Sequence, residues 1–350
     1  MQNKDSSQGG DKKSGAASKI VAAPSIDLPR GGGAIKGIEE KFRANPATGS
    51  ASFLIPLPFG RARGGMTPEV ELSYDSGAGN GPFGLGWSLS IPNIARKTEK
   101  GLPQYDDARE SDVFVMSGVE DLVPAGTVRD DGNFLIRTYR PRIEGTFARI
   151  EQWTEKTSGL MHWRTIAADD TTRIYGETGG GRISDPANPL HTFRWLLEFS
   201  HDGKGNAISY VYKDEDDAGV VPAKSSERNR LNGNSPCTNR YLKRILHGNA
   251  VHYDGTNRPA SYLFQTVFDY GEHDAAVPAP DEVNPWPVRS DAFSQYRAGF
   301  DIRTRRLCTR ILQFHNFAEL SQMPCLVSSV DFRYGTNDSG MALLQQAIRK

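Results

Sequence analysis

The chain has 350 residues, of which 37% are hydrophobic and 24% charged, and it holds 36 glycines and 21 prolines. In a helix interior each glycine costs about 1 kcal/mol and each proline about 3, so this composition excludes a helix bundle and favours short strands joined by tight turns. Lys plus Arg and Asp plus Glu both number 42, leaving no basic excess to displace counterions from phosphates, which excludes a general nucleic-acid binder.

The length suits two average domains or one large β domain. No run of eighteen apolar residues occurs, so no direct membrane span is expected. Residues 1–21 are polar and rich in Gly and Ser, with no apolar stretch of signal-peptide type, and are expected to form a disordered tail. An extended arm follows, interrupted by Pro24, Pro29 and Gly31 to Gly33, with room for one or two helical turns over 36–42.

Strand signals begin after Gly49. Residues 52–59 form an apolar run whose prolines place it at an edge or bulge. Val70, Leu72 and Tyr74 alternate onto one face, as do Trp87, Leu89 and Ile91, with a long glycine loop at 76–86 between them. Further strands are expected at 112–116, 134–139, 147–153, 161–166 and 171–175. The strongest hairpin pairs 192–199 with 208–212 around the 201–206 turn, where Asp202-Gly203 and Gly205-Asn206 suit positive φ. Residues 214–236 read as a polar surface loop and 276–287, with four prolines, as another. Strands are expected again at 241–246, 262–270 and 327–334; residues 299–317 fit both periods and are assigned to strand by their neighbours. The expected fold class is all-β, mainly short antiparallel strands in sandwich or shell-like sheets with long Gly/Pro loops.

Several patterns resemble sites. Gly79, Gly81 and Gly84 match the dinucleotide-loop spacing, but Pro82 lies inside it and a strand follows in place of the required helix. Glu69 and Glu71 resemble paired catalytic glutamates, yet alternation sets them on the polar face of a half-buried strand. The acidic run 214–217 lacks the spaced oxygens and glycine of a calcium loop and reads as solvated. Seven histidines are scattered without ligand spacing, and no G-x-S-x-G elbow is present. Cys237, Cys308 and Cys325 form neither a disulfide framework nor a zinc site, and Cys308 is expected to be a buried thiol. Arg303, Arg305, Arg306 and Arg310 make a basic stretch best explained by inter-strand salt bridges or a protein contact. No catalytic, cofactor-binding or metal-ligating residue is assigned. The residues expected to matter are architectural: the glycines from Gly77 to Gly86, Trp87, and the Asp202-Gly203 turn.

The motifs PRGGGAI at 29–35, SGAGNGPFGLGW at 76–87, IARKT at 94–98 and GLPQY at 101–105 occur in order with RISDP at 182–186, FQTVFDYG at 264–271, DAFS at 291–294 and GFDIRTRRLC at 299–308. Together they resemble the N-terminal domain of the Salmonella virulence plasmid B (SpvB) family, which also opens the B components of insecticidal toxin complexes. The resemblance covers residues 22–337, with 338–350 expected to begin a following segment. It implies a non-catalytic structural module that helps a toxin shell enclose or deliver a cytotoxic partner. The implied partners are an RHS-type C component, or downstream RHS and propeller segments of the same toxin, and a pore-forming A component. It further implies synthesis in the bacterial cytoplasm without a signal peptide, followed by secretion as part of a toxin. The hairpin at 199–210 is similar to one tyrosine-aspartate repeat of RHS type. The family's ADP-ribosyltransferase is a C-terminal domain whose motif does not transfer to this chain. The alternatives are an enzyme, either such a transferase or a hydrolase, and a carbohydrate or cell-surface binding module.

Overall fold

The computed structural model of the chain describes residues 41–45, 50–117, 120–145, 147–232 and 238–350. The expected tail, most of the arm and Cys237 lie outside them. The architecture is all-β: a closed barrel, an open sheet continuous with it, and a small sheet of four strands. Among the described residues no helix is long and apolar enough to cross a membrane.

Eight strands form the barrel: Asn93–Arg96, Phe114–Met116, Glu120–Asp131, Phe134–Pro141, Arg149–Glu155, Met161–Ile166, Thr172–Tyr175 and Asn188–His201. Each pairs antiparallel with the next. The ring closes because Asn188–His201 pairs with the first strand, Trp195 opposite Ile94, and with the seventh, Arg173 opposite Ser200. Closure removes the sheet edges that would otherwise template aggregation. The interior is wide enough for packed side chains or one small ligand. Phe114, Tyr139, Trp163 and Trp195 fill part of it, their contacting ring centroids 4.9–6.0 Å apart. The Trp195 indole donates to the Met161 carbonyl at 2.8 Å, so this buried N–H is satisfied.

The open sheet starts from the same long strand. After Asn188–His201 come Ala207–Asp214, Arg240–Asn249, Tyr262–Asp269, Arg310–His315, Cys325–Thr336 and Ala342–Arg349, paired in that order. The expected hairpin is present, with Ser200 opposite Ile208. Its turn is tied by the Asp202 carboxylate, which accepts from the Lys204 and Asn206 amides, both at 2.9 Å. The positive φ falls on Gly205, at +71°, while Gly203 is not among the left-handed residues. Strand is correct for the ambiguous 299–317 stretch, which forms Ile302–Thr304 and Arg310–His315.

The small sheet orders Lys41–Asn45, Ser50–Pro56, Glu71–Asp75 and Trp87–Leu89. Its first strand replaces the helical turns expected near 41–42. Leu72 and Ile55 bury in the main core, and half-buried Trp87 packs on Phe53 and Tyr74. The glycine loop seats this sheet against the open one. Asn80–Gly81 and Gly84–Leu85 form a miniature hairpin whose tip presents Phe83 edge-on to Phe268 and Phe332. Gly84 has φ +90°, and a Cβ there would lie 2.9 Å from the Ala342 carbonyl. No helix follows the glycines, so the dinucleotide-loop pattern is a packing device.

Two further elements differ from expectation. Residues 214–236 contain the helix Ser225–Asn232 instead of forming only a surface loop. Glu120–Asp131 is a strand of 12 residues although Pro124 and Gly126 break its pattern; its pairing with Phe134–Pro141 shifts register between Ile136 and Thr138 to accommodate them.

Candidate functional site

The arginine stretch is buried. Arg303, Arg305 and Arg306 lie on and just after the strand Ile302–Thr304, each with at most 5% of its surface exposed. Such burial is tolerable only with paired charge, and the acids come from the segment that the sequence reads as solvated. Arg306 bonds Glu215 at 2.6 Å and Asp216 at 3.0 Å, donates to the Ala218 and Trp286 carbonyls, and lies 4.4 Å above the Trp286 ring. Arg305 bonds Asp217 at 2.7 Å and Glu227 at 2.8 Å, and Arg303 bonds the other oxygen of Glu227. The acidic run and the helix are therefore one strap, fastened by ion pairs across the chain.

Burial pushes the Glu215 carboxyl above its ordinary range, outweighing the hydrogen bonds and charge of Arg306. For Glu227 burial acts in the same direction, but the hydrogen bonds from Arg305 and Arg303 outweigh it and hold that carboxyl down. The Tyr241 hydroxyl completes the network, donating to Glu215 at 2.8 Å and accepting from the Arg305 amide at 2.9 Å. The site's polar groups are committed to one another, and what it does chemically is clamp.

A second cluster has metal-ligand composition. Asp269, Glu272 and His273 are buried, with ligand atoms within 4.8 Å of one another. A lysine already serves them: the Lys243 ammonium bonds Glu272, lies 2.7 Å from His273 Nε2, and donates to the Phe268 carbonyl at 3.2 Å. Asp269 accepts from the Gly271 amide at 2.8 Å and from Arg310 at 2.6 Å. The ammonium supplies the charge a cation would bring, so these residues do not fit a metal. Nearby Cys308 is fully buried as expected, its thiol pushed well up by burial. Burial also pushes His162 down to about 3 and His247 down to about 4, which makes both neutral packing groups.

The barrel mouth is the other candidate. A cavity of about 820 Å³ opens where the 167–171 turn, the hairpin turn at 202–204 and the 64–70 segment converge. Residues opposite one another in antiparallel register share a face. Thr165 faces Arg173, Arg173 faces Ser200, and Ser200 faces Ile208, giving a row across four strands that lines this cavity. Glu69 stands at its lip, exposed, while Glu71 is half-buried in the small sheet. The sequence reading missed Arg173 and Ser200 because their shared face exists only once the barrel closes.

The sequence profile of the family described as Salmonella virulence plasmid 65kDa B protein matches residues 45–317. The chain belongs to the SpvB family. The Mono(ADP-ribosyl)transferase SpvB of Salmonella choleraesuis (strain SC-B67) is 35% identical over 353 residues, covering 93% of this chain and 56% of the relative. The chain thus spans about half the length of the curated relatives it matches. The N-terminal domain of effector protein SpvB from Salmonella typhimurium strain LT2 superposes with TM-score 0.77 at 35% identity, over 85% of this chain and 98% of that one. TcdB2-TccC3 gives TM-score 0.82 at 34% identity, over 94% of this chain and 16% of that chain. The Tc holotoxin pore of Photorhabdus luminescens gives 0.81 at 34%, over 95% and 16%. This SpvB-family chain is therefore similar to the N-terminal part of a virulence effector and to a segment of a toxin complex.

Proposed function

We propose that this chain is a non-catalytic wall module of a bacterial toxin shell that encloses or delivers a cytotoxic partner. The observation that carries the reading is its similarity, along nearly its whole length, to one segment of TcdB2-TccC3. The clamp supports it, because committed ion pairs suit a rigid wall and leave no reacting group in place. The partners would be an RHS-type C component or downstream RHS and propeller segments, with a pore-forming A component docking on the assembly. Synthesis in the cytoplasm and export with the toxin follow from that role. No transferase step is placed on this chain.

The test exchanges the matching segment of TcdB2 for this chain and measures assembly with TccC3 by size-exclusion chromatography and particle imaging. Hollow particles of the parental size are expected; failure of the soluble chimera to assemble would overturn the wall role. In parallel, the chain is incubated with labelled NAD and a cell extract. Label transfer abolished by Glu69→Ala/Glu71→Ala would establish the enzymatic reading instead.

A further inference from the structure

The two parts of the barrel interior differ in chemistry. One is plugged by the tryptophans and their aromatic neighbours, and the other is the 820 Å³ cavity, within the usual size range of small-molecule sites and placed, as such sites often are, in a barrel mouth. Its wall carries an unpaired cation. Arg96, Arg289, Arg303, Arg305 and Arg306 each hold a carboxylate, whereas the Arg173 side chain makes no ion pair or hydrogen bond among the described residues. Opposite it lies Ser200, only 3% exposed, with its hydroxyl beside the Tyr210 phenol. A guanidinium fork without an anion is a ready carboxylate site. Tyr210 lines the same wall.

The lip restricts what can enter. At the exposed lip Glu69, Asp169 and Asp170 stand with Lys204, an acidic excess that opposes polyanions such as nucleotides. A ligand carrying one carboxylate and several hydroxyls satisfies both the wall and the lip. We infer that the barrel mouth binds the terminal acidic sugar of a glycan, with its carboxylate on Arg173 and its hydroxyls toward Ser200 and Tyr210. The cavity has room for the acidic ring and the sugar that follows it. This site is independent of the wall role, since it uses none of the clamp.

The experiment titrates the full chain with sialyllactose, a glucuronate-terminated disaccharide, lactose and ATP, read by saturation-transfer NMR and calorimetry. One or both acidic glycans bind, while lactose and ATP bind at least about tenfold more weakly, the loss expected for a charge-assisted bidentate contact. Arg173→Met lowers acidic-glycan affinity at least about tenfold, and Arg173→Lys restores little because an ammonium cannot make the planar fork. Lactose binding as tightly as sialyllactose, ATP binding best, or no acidic glycan binding would each overturn the inference. The ligand comparison on the unsubstituted chain decides the question even if Arg173→Met does not fold.

Discussion

Glu215 and Arg306 are a fully buried pair, and removing one partner leaves the other charged in a place water does not reach. Glu215→Gln is expected to lower stability by about 2–3 kcal/mol, below the 3–5 usual for stranding a buried charge, because Asp216 still bonds Arg306. The double replacement Glu215→Gln/Arg306→Met is expected to lose less than the sum of the two single changes. Urea midpoints of the four proteins check this, and strict additivity would contradict a coupled clamp. Asp291 gives a pH-dependent counterpart. Burial alone would raise its carboxyl, but hydrogen bonds from Arg289, the Ala342 amide and Asn80, with the Arg289 charge, bring it down to about 2 from an ordinary 3.8. A carboxyl depressed in the folded state adds stability that is present above its unfolded pKa of about 3.9 and is lost as pH falls toward about 2. Asp291→Asn is therefore expected to make the fall in stability between pH 4 and 2 shallower, which urea titrations at stepped pH would read.

The glycine loop acts as an element because its turns let Phe83 reach the open sheet. Gly84→Ala combines a left-handed backbone with a Cβ 2.9 Å from a carbonyl, and is expected to cost at least about 2 kcal/mol. Gly79 has nothing within 4 Å of an added Cβ and no positive φ, so Gly79→Ala should stay within about 0.5 kcal/mol. Thermal midpoints separate the two, and equal losses would mean that the loop is not shaped by position. The importance of this loop was legible in the sequence, as were the hairpin and the strands whose apolar residues alternate, because these signals are local. The helix Ser225–Asn232 was not. Its sequence, SSERNRLN, has no apolar stripe, and Glu227 is tied to arginines 76 and 78 positions away. The arginine stretch suggested salt bridges, but its partners stood in a run that composition alone marks as solvated. Arg173 and Ser200 meet only across a strand register, which neither residue's neighbours announce.

At the scale of the molecule, the strand Asn188–His201 belongs to two structures at once. It closes the barrel against Asn93–Arg96 and Thr172–Tyr175, and it begins the open sheet through Ala207–Asp214. The buried core follows the same path: one contiguous cluster runs from Trp163 and Trp195 in the barrel through Leu197 and Ile208 to Tyr241, Ile311 and Phe332 in the sheet. The barrel cannot lose this strand without opening, and the sheet cannot lose it without exposing its first edge. The two should therefore unfold together. Trp195→Ala removes a fully buried indole and its hydrogen bond, and is expected to cost about 3–5 kcal/mol. If barrel and sheet are one cooperative unit, tryptophan fluorescence and far-ultraviolet circular dichroism will report coincident urea transitions in both the parent and the variant, displaced together. A variant whose fluorescence transition moves while a later dichroism transition stays in place would show the open sheet standing alone. A toxin wall built from this chain would then have a hinge at Asn188–His201, where the present topology gives it a rigid joint.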